Sequence, residues 1–90
     1  MTIEDWRTQI DDIDRRLVKL MNDRAQCVLK IAAIKRRNNM KVVDLERERN
    51  VFQNVEKANS GPLDTSGLQR VFERIIEESR RIERHVTGEK

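Results

Sequence analysis

Residues 6–34 read WRTQIDDIDRRLVKLMNDRAQCVLKIAAI, and the spacing of this stretch decides the fold. Trp6, Ile10, Ile13, Leu17, Leu20, Arg24, Cys27, Ile31 and Ile34 follow one another at alternating steps of four and three residues. That is a heptad seam held for about four heptads, and it predicts one long amphipathic helix. Arg24 is the only charged member of the seam. Thr2, with Asp5 three residues on, predicts the helix start as a capping box with the shorter acid. The basic, Asn-rich stretch Lys35 to Asn39 predicts its end, because cations suit the negative end of the helix dipole and Asn tolerates a left-handed cap. A helix of some 35 residues is roughly 50 Å long at about 1.5 Å per residue. No globule of 90 residues is that wide, so the helix needs partners along its whole length.

Working outward, residues 1–60 contain neither Gly nor Pro, which favours long helices. Met40 to Val43 reads as an extended connection. Asp44 is a good N-cap for a second helix, with Glu46 and Glu48 in its first turn. The apolar stripe of that helix is Leu45, Glu48, Phe52 and Val55, and Asn59-Ser60-Gly61-Pro62 stops it. A cap among Asp64, Thr65 and Ser66 opens a third helix, whose stripe is Leu68, Phe72, Ile75, Ser79, Ile82 and Val86. The expectation is an all-α chain of three helices, one very long, forming one domain over residues 1–90.

Composition adds the need for a second chain. Apolar residues make up 37% of the sequence and charged residues 39%. The apolar share is low against the roughly 45–50% usual for a soluble domain when Gly is counted. So short a chain has little stability to spare unless another chain completes its core. The 19 Lys and Arg exceed the 16 Asp and Glu, giving a net charge of +3. No apolar run approaches a membrane span, and no signal peptide is read at the N-terminus, so the cytoplasm is the expected compartment. Cys27 and His85 are single. No internal disulfide is expected, and no metal site built from the protein. Cys27 is expected to be a small buried hydrophobe, and His85 to be exposed.

The polar interruptions of the stripes carry the functional information. Arg24 breaks the first stripe, Glu48 the second and Ser79 the third, with Glu83 four residues further on the same face. Lys35 lies eleven residues after Arg24, only about 20° past three full turns, so both project from nearly one face. Arg7 borders the seam near the other end. Each has a simpler structural reading as well. Arg24 would serve as a registry device, Glu48 as a dipole partner, Ser79 as a tolerated helix residue, and Glu83 and Lys35 as solvated charges. Taken together, charges that face a core must be paired or must serve a ligand. Three helices aiming polar groups inward describe a polar cavity in a bundle. Its basic groups, Arg7, Arg24, Lys35 and Arg47, suit a small anion, since Arg forks hold carboxylates. Neither a nucleophile with its base nor a Gly-rich phosphate loop is present, so any catalysis rests on positioning and electrostatics.

At this point the sequence resembles the all-helical class of chorismate mutases, over about residues 4 to 86. The matching pieces are Arg7 with Ile10-x-x-Ile13-Asp14-x-x-Leu17, then Arg24 and Lys35, then Asp44-Leu45-Glu46-Arg47-Glu48-Arg49, then Phe72-x-x-Ile75-Ile76-Glu77-x-Ser79. The resemblance implies an intertwined homodimer with two sites and the conversion of chorismate to prephenate, on the route to phenylalanine and tyrosine, without a cofactor. It implies that Arg24 binds a substrate carboxylate together with Arg7 from the other subunit. Lys35 would touch a carboxylate and the ether oxygen. Asp44 and Glu48, with Arg47 beside them, would form the hydroxyl-binding region. Ser79 would be the small polar residue of the third helix, and Glu83 the second ether-oxygen donor, where many members carry Gln.

Three rival readings stand beside this one. The first is another enzyme on the same scaffold, an isochorismate pyruvate lyase or an aminodeoxychorismate mutase. The second is a helical module without catalysis that dimerises or binds nucleic acid. Against nucleic acid, Trp6, Phe52 and Phe72 are the only aromatics, and the last two lie on core stripes. The third is a mutase that works with a partner enzyme of the shikimate pathway.

Overall fold

The computed structural model describes residues 1–89. Three helices make up the architecture: α1 over Ile3–Arg37, α2 over Leu45–Ala58 and α3 over Thr65–Thr87. Among the described residues no strand forms. The all-α expectation holds, with one very long helix.

The ends of the helices follow from local chemistry. Thr2 accepts from the Asp5 amide, and the Asp5 carboxylate accepts from the Thr2 amide, a complete capping box. Lys35, Arg36 and Arg37 fill the last turn of α1. The left-handed residue that follows is Asn39, at φ 57°, where the side-chain amide makes that conformation tolerable. Asp44 caps α2 by accepting from the Arg47 amide, and Asp64 caps α3 by accepting from the Gly67 amide. Among the candidates for the third cap, Asp64 is therefore the one used. Gly88, at φ 74°, closes α3 in the left-handed conformation.

Helix α3 packs against both α1 and α2. Arg24 of α1 bonds Ser79 of α3, and Lys35 bonds Glu83. Both bonds step forward along both helices, so α3 runs in the same sense as the C-terminal half of α1. The buried apolar residues are few among those described: Val28 and Ala32 of α1, Val42 of the connection and Ile76 of α3. Val51, Phe52 and Val55 of α2 are half-buried, while Leu45 at its open end is exposed.

The rest of α1 stands clear. Residues 1–23 are all exposed. In the seam, Trp6 is 54% exposed, Ile10 53%, Leu17 48% and Leu20 64%. The chain measures 54 × 23 × 18 Å, with a radius of gyration of 16.1 Å. A compact chain of this length would have roughly 12 Å. No helix is long and apolar enough to cross a membrane among the described residues.

Candidate functional site

The polar interruptions meet in one cavity of about 340 Å³, lined from all three helices and the 38–44 connection. Arg24, Lys35, Asp44, Arg47, Glu48, Ser79 and Glu83 all line it. Arg7 does not. It sits about one turn into α1, exposed and paired with Glu4 at 2.7 Å. Along a helix, 17 residues separate it from Arg24 by about 25 Å.

Most of the charged groups on the cavity wall are held by a specific partner. The Arg24 Nη1 donates to Ser79 Oγ at 2.6 Å, and Ser79 in turn donates to the Ile75 carbonyl at 2.9 Å. The serine hydroxyl thus fixes the guanidinium while its own proton stays on the helix backbone. Lys35 Nζ donates to Glu83 Oε2 at 2.8 Å and to the Val42 carbonyl at 2.7 Å. Both side chains of that pair are about nine-tenths covered, at 12% and 10% exposure. A buried ammonium offers three donors. Two are used here, and the third is available to a ligand. The Val42 amide donates to Glu89 at 2.9 Å, which ties the 38–44 connection to the segment after α3.

Glu48 is gripped by Arg80, which the stripe analysis passed over. Arg80 Nε donates to Glu48 Oε2 at 2.8 Å, and its Nη2 donates to Glu48 Oε1. This two-pronged pair is the strongest geometry available to a guanidinium and a carboxylate. The hydrogen bond to Glu48 raises the Arg80 pKa above its usual value, against a smaller opposing effect of burial. A signal for Arg80 existed in the spacing. It lies four residues after Ile76 and three before Glu83, so it shares their face. Its neighbour Arg81 is exposed and pairs with Glu78.

Cys27 lines the cavity and is exposed, not the buried hydrophobe expected from its seam position. The seam at Cys27 faces an open cavity within the single chain, so nothing covers the thiol. His85 is exposed as expected. Among the described residues, no cluster of three or more His, Cys, Asp or Glu could hold a metal ion.

The sequence matches the family model described as chorismate mutase type II over residues 6–84. The chain belongs to that family. A bifunctional chorismate mutase/prephenate dehydratase of Buchnera aphidicola (subsp. Schizaphis graminum) is 39% identical over 77 residues, covering 82% of this chain and 20% of that protein. The protein of the same name from Neisseria gonorrhoeae is 33% identical over 81 residues, covering 90% of this chain and 22% of that protein. The chain therefore spans about a fifth of the length of the curated relatives it matches. In fold, it is similar to the chorismate mutase from Helicobacter pylori solved in complex with prephenate. The TM-score is 0.86 at 24% identity, over 98% of this chain and 96% of that one. The resemblance drawn from Arg7, Arg24, Lys35 and the two longer motifs thus leads to the right family of helical proteins.

Proposed function

We propose that this chain rearranges chorismate to prephenate in the cavity among its helices, as an intertwined homodimer of the cytoplasm serving phenylalanine and tyrosine synthesis. The observation that carries the reading is the convergence of Arg24, Lys35, Glu48, Ser79 and Glu83 on one cavity, in a chain of the chorismate mutase type II family. A volume of about 340 Å³ suits a small organic ligand. The Helicobacter neighbour's complex with prephenate supports the same ligand class.

In this reaction the ether C–O bond breaks and one C–C bond forms. No atom leaves, and the protein exchanges no electrons with the substrate. The first task of the site is conformational: a flexible dianion must be held in a compact, chair-like shape with its reacting carbons in near contact. The Arg24 fork, steadied by Ser79, takes a carboxylate. Asp44 and Glu48 take the ring hydroxyl, with Arg47 beside them. The second task is electrostatic. Negative charge grows on the ether oxygen as the C–O bond breaks, so Lys35 stabilises the transition state more than the ground state. Glu83 joins it only when protonated, because an ether oxygen and a carboxylate both only accept hydrogen bonds.

The dimer supplies what one chain lacks. In an antiparallel pair of long helices, the end of one lies against the middle of the other. The partner subunit's Arg7 then reaches the site containing Arg24, and the exposed Trp6–Leu20 seam is covered. Partnership with another shikimate-pathway enzyme fits the same reading, since the relatives named above join chorismate mutase with prephenate dehydratase.

The test is to mix purified protein with chorismate and follow its loss and the appearance of prephenate. Stoichiometric conversion without added cofactor is expected. Absence of turnover, or release of pyruvate from isochorismate instead, would overturn the assignment.

A further inference from the structure

Glu48 and Arg80 form a matched pair on the cavity wall, and the pair has a property that neither residue has alone. The Glu48 side chain is 17% exposed and that of Arg80 is 30% exposed, so both are largely withdrawn from water. Each Glu48 oxygen receives one Arg80 donor. A carboxylate has about four lone-pair positions, so each oxygen keeps one for a ligand. Glu48 therefore stays a good acceptor, but its charge is already balanced. Arg47 and Asp44 beside it also sum to zero, with Asp44 spending one oxygen on its helix cap. This end of the cavity offers directed acceptors with no net negative charge. Such a wall welcomes a neutral O–H donor. An ammonium would bring its own positive charge close to the Arg80 guanidinium, where like charges repel in a site of reduced dielectric.

We propose that Arg80 is the specificity-determining residue of the cavity, setting Glu48 to accept a neutral ring hydroxyl and to reject a protonated amine at the same position. This rests on the chorismate reading above and deepens it. Arg80 acts through Glu48 and is a positioning residue, not a catalytic one. Its two-pronged grip fixes the direction of the remaining lone pairs, and its charge fixes which donor they prefer.

The experiment compares chorismate with 4-amino-4-deoxychorismate, in which an amine replaces the ring hydroxyl, in wild type and in Arg80→Met, Arg80→Gln and Arg80→Lys. For Arg80→Met, kcat/KM for chorismate is expected to fall about tenfold, as expected for loss of one orienting charge-assisted contact. The ratio of amine to hydroxyl substrate should rise about tenfold or more, since Glu48 then stands uncompensated. Arg80→Lys should keep the wild-type preference, because the charge remains although the fork is gone. Arg80→Gln should move the ratio as Met does, and it stands in if the Met chain fails to fold by circular dichroism. A purely structural role would lower both substrates alike. An unchanged ratio in the folded neutral variants, or a ratio that moves in Arg80→Lys as far as in Arg80→Gln, would overturn the proposal. Failure of wild type to convert chorismate would sink the functional reading instead. The same ratio is then taken from the dissociation constants of the two compounds, and its constancy across variants would still overturn the role of Arg80.

Discussion

The two halves of α1 obey one spacing rule and meet different fates. From Arg24 onward α3 covers the flank beside the seam: Val28 and Ala32 are buried, and Arg24 and Lys35 are bonded to Ser79 and Glu83, while the seam residues Ile31 and Ile34 stay 47% and 45% exposed. Before Arg24 neither flank nor seam is covered: residues 1–23 are all exposed, and Ile10, Ile13 and Leu17 are about half exposed. Exposed large apolar residues in a continuous row mark an interaction surface, and the proposed dimer would cover it. The difference teaches that a heptad states only that a face will be covered. Whether the cover comes from the same chain is decided by where the remaining residues reach, and α3 reaches only the flank beside the second half of the seam.

The largest effect should come from placing a charge in the open half. Leu17→Asp should raise the dimer dissociation constant by roughly a hundredfold or more, since an uncompensated charge buried at an interface costs about 3–5 kcal/mol. Sedimentation across a dilution series reads this, and activity should fall with the dimer. A compact, active monomer at all concentrations would remove the contrast between the halves.

Next come the two arginines, one on each half. Arg24→Ala and Arg7→Ala should each lower kcat/KM by about 2–4 kcal/mol, roughly 30- to 1000-fold, while circular dichroism stays unchanged. Chain exchange between the two inactive dimers should restore turnover. In each mixed dimer one site receives both substitutions and the other neither. If mixing restores nothing, the halves do not share a site across the two-fold axis.

A smaller effect tests the partner of Lys35. Glu83 accepts from Lys35, and a carboxylate has no donor to offer the ether oxygen of the proposed reaction. Glu83→Gln, whose amide donates, should raise kcat severalfold. The check is kcat with chorismate for both chains while circular dichroism stays unchanged. An unchanged or lower kcat in the folded variant would count against Glu83 as a neighbour of the ether oxygen.

The smallest effect compares the caps at the two ends. The Asp5 carboxyl is held below its usual 3.8 by its hydrogen bond from the Thr2 amide, and Asp64 is held below 3.8 by that from the Gly67 amide. A carboxyl with a lowered folded pKa adds stability above its unfolded value and loses it as pH falls through the folded one. Thermal melts should therefore soften below about pH 4. Asp64→Asn, which still accepts from the amide, should soften less. Asp5→Asn should matter less than Asp64→Asn, because α3 roofs α1 while the first turn of α1 covers nothing in its own chain.

Most of the backbone was legible because few residues compete with helix before Gly61, because Thr2 and Asp44 mark starts by their cap chemistry, and because Asp64, Thr65 and Ser66 bracket the third start. The site was legible where a polar residue broke an apolar stripe, as Arg24, Glu48 and Ser79 do. Arg80 was less legible: it shares a face with Ile76 and Glu83, but within the charge-rich run Glu77 to His85 that signal does not stand out as a break in an apolar stripe. Its partner, Glu48 on α2, is a long-range fact. Cys27 misled for the opposite reason: a seam position promises cover, and the cover within this chain stops short of it.

Val42 gives the molecule an unusual mechanical layout. Its carbonyl holds Lys35 and its amide is held by Glu89, so lysine, connection and chain end are links in series. The stiffness of a series is set by its softest link. Here the outermost link is Glu89, beyond the Gly88 that ends α3 and outside the cavity lining. The rigidity of Lys35 is thus partly lodged in a residue outside the cavity lining, itself bonded to Thr87 in the last turn of α3 and far along the sequence from the seam that builds the fold.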